Sequence, residues 1–241
     1  MGKLLLILRL EGPLQSWGLR ARWDVRDTGD EPSKSGVVGL LGCALGYRNG
    51  DKRLHQLGDE LRMGVRVERQ GSKMVDFQTV SGVMMSAGGK IRGKPDDPVT
   101  IVSPRTYLQD AGFLVALGGP PDIMEQCAIA LQSPQWPFYL GRKACIPSRP
   151  VFEVLTGQYQ SLEDALTLYP WEALYDGEPL PTRLRCVLED EEGTHLRPDR
   201  PMANPARMYQ HRAVRVFWVN CPHAKEDDRG GGDCCFCRIF I

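Results

Sequence analysis

An α+β protein is predicted by the order of its elements, by one long insertion and by a change of character past the middle of the chain. Residues 1–155 read as strand, helix, strand, insertion, strand, helix and strand, the split βαβ order of a ferredoxin-like domain, which RNA-recognition (RRM-like) modules share. The insertion, about residues 71–106, is rich in Gly, Ser, Pro and Lys. A connection of that length is either disordered or a functional arm. Residues 156–220 supply a short helix and further strand-like runs, a smaller C-terminal β-rich lobe, and residues 221–241 form a Cys-rich tail.

Each element has its own warrant. Residues 4–10 are apolar except for Arg9, as in a strand buried on both sides. Residues 33–46, Ser-Lys-Ser-Gly-Val-Val-Gly-Leu-Leu-Gly-Cys-Ala-Leu-Gly, read as an apolar helix with Gly36, Gly39, Gly42 and Gly46 at steps of three and four. A glycine inside a helix costs about 1 kcal/mol against alanine, so this bare face implies close approach of a second backbone or a ligand. Ser33, Lys34 and Ser35 at its start combine cap hydroxyls, a cation and free backbone N–H groups, which attract phosphate. The plainer alternative is a tightly packed core helix with an ordinary cap. Residues 64–69 alternate Val65 and Val67 with charge, residues 113–117 are an apolar strand, and residues 122–131 place Ile123, Cys127, Ala130 and Leu131 along one side of a helix. Strands at 151–155, 184–188 and 213–219 and a helix at 161–168 complete the reading.

Charge and cysteine content narrow the partners. Thirty Lys and Arg balance thirty Asp and Glu, so no global field recruits nucleic acid and any such binding must come from local clusters. Such clusters exist: Arg9, Arg20 and Arg22 around the first loop, near Trp17 and Trp23; Lys90, Arg92 and Lys94 in the insertion; Arg142, Lys143 and Arg149 after Tyr139; and Arg207, Arg212 and Arg215; Tyr107 lies near Arg105. Rings beside cations can stack bases while the cations hold the backbone; the alternative is a solvated surface over buried rings. The apolar start is cut by Arg9 and Glu11 and lacks a small-residue cleavage site. No run reaches the length needed to span a bilayer, so a cytoplasmic protein with no membrane partner is expected. Cys43, Cys127, Cys145 and Cys186 are scattered, as suits reduced, mostly buried thiols.

Catalytic motifs are sparse. Neither a nucleophile elbow, a phosphate-binding Gly-x-x-x-x-Gly-Lys nor a His-Glu-x-x-His occurs, and His55, His195, His211 and His223 are far apart. The tail offers the one metal candidate: Cys221 and His223 precede Cys234 and Cys237, enough donors for a structural zinc. The usual Cys-x-x-Cys spacing is missing from the first half, and a flexible tail with incidental thiols is the alternative. No cofactor is otherwise required.

Three segments carry a family resemblance: Leu-Ile-Leu-Arg-Leu-Glu-Gly-Pro-Leu-Gln-Ser-Trp-Gly at 6–18, Pro-Ser-Lys-Ser-Gly-Val-Val-Gly-Leu-Leu-Gly at 32–42, and Tyr-Leu-Gly-Arg-Lys-Ala-Cys-Ile-Pro at 139–147. Together they resemble the CasD-type, repeat-associated RNA-binding subunits of the type I-E CRISPR surveillance complex, Cascade. The resemblance implies a ferredoxin-like domain whose insertion is a protruding β-hairpin thumb. It also implies an antiviral-defence ribonucleoprotein role: capping the 5′ handle of CRISPR RNA beside backbone and large subunits, with target DNA met through the assembled complex. It assigns RNA binding to Lys34, Ser35, Gly36, Arg105, Tyr107, Tyr139, Arg142 and Lys143. The alternative is a metal-independent endoribonuclease that processes precursor CRISPR RNA, as type I-C relatives do with Tyr, Lys and His; the stretch leading to Ser103–Tyr107 has no His.

Overall fold

A computed structural model describes residues 3–19, 26–48, 50–85, 89–175, 177–201 and 209–222. In chain order the elements are β1 (Leu5–Glu11), β2 (Leu14–Gln15), α1 (Lys34–Leu45), α2 (Lys52–Glu60), β3 (Arg62–Arg69), β4 (Ser72–Gly82), β5 (Met84–Met85), β6 (Ile91–Arg92), β7 (Val99–Gln109) and β8 (Gly112–Gly118). They continue with α3 (Pro121–Gln132), β9 (Phe152–Thr156), α4 (Leu162–Leu168), β10 (Arg183–Glu189), β11 (His195–Pro201) and β12 (Tyr209–Asn220). The protein is mixed α and β with antiparallel sheets. Seven strands form one sheet in the order β11-β12-β10-β3-β8-β1-β9, every neighbouring pair antiparallel.

All seven residues of β1 are buried because both faces of the sheet are covered. Leu6, Leu8 and Leu10 point to one side, where they meet Val37, Val38, Leu41 of α1 and Met124, Cys127 of α3. Leu5 and Ile7 point to the other, against Ala165 and Leu166 of α4 and Trp171. Burying each such side chain contributes on the order of 1.5–3 kcal/mol. The start of α4 is capped by Ser161, which accepts the Asp164 N–H at 3.0 Å.

The insertion is ordered as a hairpin. β4 and β7 pair over eleven residues from Ser72↔Gln109 to Gly82↔Val99, with β5 and β6 beyond them. The smaller C-terminal β-rich lobe expected at 156–220 joins the main sheet: β10 pairs with β3, so β10, β12 and β11 extend the same sheet. A strand edge left open beside β3 is an available template, and Val187 and Cys186 fill it with buried side chains. Sequence periodicity also passed over α2, a nine-residue helix capped by Asp51, and β11, whose Pro198 and Pro201 disguise an edge strand.

The glycine face of α1 serves three different purposes. A Cβ on Gly36 would lie 2.8 Å from the Trp17 ring, one on Gly42 would overlap Leu54, and Gly46 ends the helix at φ +73°. Gly39 has nothing within 4 Å of its Cβ position. Gly39→Ala is therefore expected to raise the stability of the isolated chain by about 1 kcal/mol, read as a higher urea midpoint. A lower midpoint would reveal a contact at that face.

Candidate nucleic-acid interface

The segments 11–18 and 139–149 are joined backbone to backbone. Ser16 N–H donates to Leu140 O at 3.0 Å, and Ser148 N–H donates to Glu11 O at 2.9 Å. Two glycines permit this: a Cβ on Gly12 would come within 2.7 Å of Ile146 O, and one on Gly141, held at φ +94°, would overlap Ser16 O. Gln15 fixes the loop by donating to Leu10 O and Ala111 O at 3.1 and 2.7 Å. Its carbonyl oxygen accepts the Trp17 indole N–H at 3.0 Å. Trp17 then lies over Gly36, so three segments distant in sequence meet at one corner of the sheet.

Arg142 is the internal clamp of this corner. Its guanidinium donates to the carbonyls of Thr106, Arg26 and Asp27 at 3.1, 3.0 and 3.2 Å and lies 4.6 Å above the Tyr107 ring. Tyr107 is buried. These two expected contacts are thus committed to holding the turn against β7, not to a free surface.

What the clamp presents is a pair of cations. Arg26 and Arg105 are bridge partners in parallel register, supported by Arg26 N–H to Pro104 O and Thr106 N–H to Arg26 O at 3.0 and 2.8 Å. Opposite residues share a face of a sheet. No carboxylate pairs with either guanidinium among the described residues, and Arg105 Nε is buried without a hydrogen-bond partner. Tyr139 is half-buried and Lys143 exposed on the neighbouring turn. Arg26 was not singled out from sequence, since only the bridge to Arg105 distinguishes it from other arginines. Arg20, Arg22 and Trp23 lie outside the described residues.

The start of α1 is different from expectation. Lys34 is 2% exposed; its ammonium donates to both oxygens of Glu189 at 2.8 and 3.0 Å, and its N–H donates to Asp199 Oδ2 at 2.8 Å. Gly36 N–H donates to the cap hydroxyl of Ser33 at 3.3 Å, and Ser35 is half-buried beside it. The anion expected at this helix start is supplied internally by Asp199 and Glu189. Lys34 and Gly36 therefore serve internal contacts: an ammonium in a dry site needs a carboxylate, and the bare glycine face takes the Trp17 ring.

Residues 5–218 match the family described as CRISPR-associated protein, Cas5. The chain belongs to the Cas5 family. It is 32% identical over 227 residues to the CRISPR system Cascade subunit CasD of Escherichia coli strain K12, covering 88% of this chain and 95% of that one. Among solved structures it is similar to a chain of a CRISPR RNA-guided surveillance complex, at 32% identity and TM-score 0.70 over 90% of this chain and 91% of the other. A Cas protein crystal structure matches at 38% identity and TM-score 0.68, covering 91% and 98%.

In this Cas5 chain the face of β1 turned away from α1 and α3 is covered. α4 and Trp171 cover the face that Leu5, Ile7 and Arg9 share, and the arginines there are internally engaged. Arg66 donates to Leu166 O and Tyr169 O at 2.8 and 2.7 Å; Arg9 lies 3.3 Å from Glu153 and 3.7 Å from Glu172. Burial pushes the Glu68 carboxyl up, with Arg66 opposing it, and burial beside Glu153 raises the Tyr169 hydroxyl well above its ordinary range.

The described histidines stand apart from that corner: His55 is on α2, His195 on β11 and His211 on β12. Cys221 is buried in the second apolar cluster, where burial pushes its thiol up. Its expected zinc partners His223, Cys234 and Cys237 lie outside the described residues. Among the described residues no group of three His, Cys, Asp or Glu could hold a metal, and no helix is long and apolar enough to cross a membrane.

Proposed function

We propose that this Cas5 chain is a non-catalytic, cytoplasmic subunit of a CRISPR RNA-guided surveillance complex, binding and capping the 5′ handle of the CRISPR RNA. The observation that carries this reading is the couple Arg26 and Arg105 at the root of the hairpin, which forms no ion pair among the described residues, with Tyr139 and Lys143 on the turn beside it. Arg26 and Arg105 carry like charges and form no ion pair among the described residues, although Asp76 lies opposite Arg105 on β4, and an anion between two like charges relieves their repulsion. A phosphate backbone supplies such anions at regular spacing. The order β9-β1-β8-β3, with helices between β1 and β3 and between β8 and β9, supports the ferredoxin-like assignment. The β4–β7 hairpin then takes the place of the thumb. Its exposed Val75, Phe77 and Val102 suit neighbouring backbone and large subunits; target DNA is met through the assembly.

The test uses the full chain and a labelled single-stranded RNA carrying the repeat-derived 5′ portion of its CRISPR RNA. Arg26→Ala with Arg105→Ala is expected to weaken binding and to lower the slope of log K against log salt by about 1.4, the value for two phosphate contacts on a single strand. Tyr139→Ala is expected to cost about 1–3 kcal/mol, as for a lost stacked base, with the slope retained. The RNA should emerge intact. An unchanged slope in the double variant overturns the phosphate assignment, and specific metal-independent cleavage overturns the non-catalytic one.

A further inference from the structure

Arg149 leaves the 139–147 turn toward β9 and reaches three carboxylates. Its Nη1 lies 3.2 Å from Glu172 and 3.8 Å from Glu11, and its Nη2 lies 3.5 Å from Glu153. Glu11 ends β1 and opens the 11–18 loop. Its carboxylate is buried and Oε2 has no hydrogen-bond partner. Arg9 and Arg66 serve the other members of this cluster, Glu68, Glu153 and Glu172. Among the described residues Arg149 is the one cation that forms an ion pair with the Glu11 carboxylate. Arg149 also sits between two backbone links that join β1 to the turn's exit, Ser148 N–H to Glu11 O and Arg9 N–H to Val151 O, both 2.9 Å.

We infer that Arg149 is a positioning residue for the RNA interface: by neutralising Glu11 it holds the 11–18 loop against the turn that carries Tyr139 and Lys143. This rests on the function proposed above. Without the guanidinium, a buried carboxylate would face Glu68 and Glu153 uncompensated, and the cheapest relief is to swing the start of the loop toward water. That movement breaks the link from Ser148 and with it the register that places Gly141 under Ser16. The competing possibility is that Arg149, 36% exposed, touches a phosphate itself.

Four variants of the full chain separate the two: Arg149→Ala, Arg149→Lys, Glu11→Gln, and Arg149→Ala combined with Glu11→Gln. Binding of the labelled RNA is measured across a salt series, and amide hydrogen exchange is measured at Ser148 without RNA. Arg149→Ala is expected to bind about tenfold more weakly, a typical coupling between contacting groups, with an unchanged salt slope and faster exchange at Ser148. Arg149→Lys restores part of the affinity. Removing the Glu11 charge as well returns affinity to within about twofold of wild type and slows the exchange again. The inference is overturned if Arg149→Ala binds like wild type, or if its slope falls by about 0.7 and Glu11→Gln does not rescue it. Should wild type fail to hold the RNA, the proposed function falls, while the exchange data still decide whether Arg149 holds the junction.

Discussion

Gly141→Ala is expected to destabilise the chain by on the order of 4 kcal/mol and to abolish measurable RNA binding, because two penalties coincide there. The φ of +94° is unfavourable for any L side chain, and the added methyl would occupy the position of Ser16 O. The turn is tight, closed by Leu140 N–H to Cys145 O and Cys145 N–H to Arg142 O, both 2.8 Å, so relief requires parting it from the loop. Gly50→Ala isolates the first penalty: its φ is +84° but nothing lies within 4 Å. Urea unfolding of both variants is the measurement. A loss at Gly141 no larger than at Gly50, about 1 kcal/mol, would mean that the two segments are not in contact.

Glu189→Ala is expected to cost about 3 kcal/mol at neutral pH, since it leaves the Lys34 ammonium buried and unpaired. Burial sets this ammonium below the ordinary lysine value, and Glu189 pulls it partly back; without Glu189 it falls further. The folded protein then releases the proton at a lower pH than the unfolded chain does. Stability therefore rises with pH up to the unfolded value of about 10.4, and the deficit shrinks between neutrality and about pH 10. Lys34→Met with Glu189→Leu should recover most of the loss. Denaturant midpoints at pH 7 and pH 10 decide it; a deficit that grows with pH would show that Lys34 is not the buried charge responsible.

Strand and helix periodicity made most of the sheet legible, because β1, β3 and β8 carry unbroken or alternating apolar runs. The β4–β7 hairpin was not, since β4 and the outer part of β7 alternate only between exposed and half-buried positions and bury little to set an apolar period. Lys34 shows why the site was harder still. A cation beside two serines at a helix start describes a phosphate cradle and an internal ion pair equally well. Only the long-range return of Glu189 and Asp199 chooses between them. The motif residues Gly12 and Gly141 were visible, but their meaning, a shared backbone contact, depends on two positions 129 residues apart.

The clamp between Lys34 and Glu189 joins positions 155 residues apart. At about 5–20 residues per second, synthesis separates the two partners by roughly 8–30 s. During that interval the nascent chain carries α1 without its carboxylates and β3 with one bare edge, awaiting β10. Folding of the N-terminal half therefore cannot be completed on the ribosome before the C-terminal strands emerge, and a chaperone or a partner subunit that covers the β3 edge during translation would raise the yield of assembled protein.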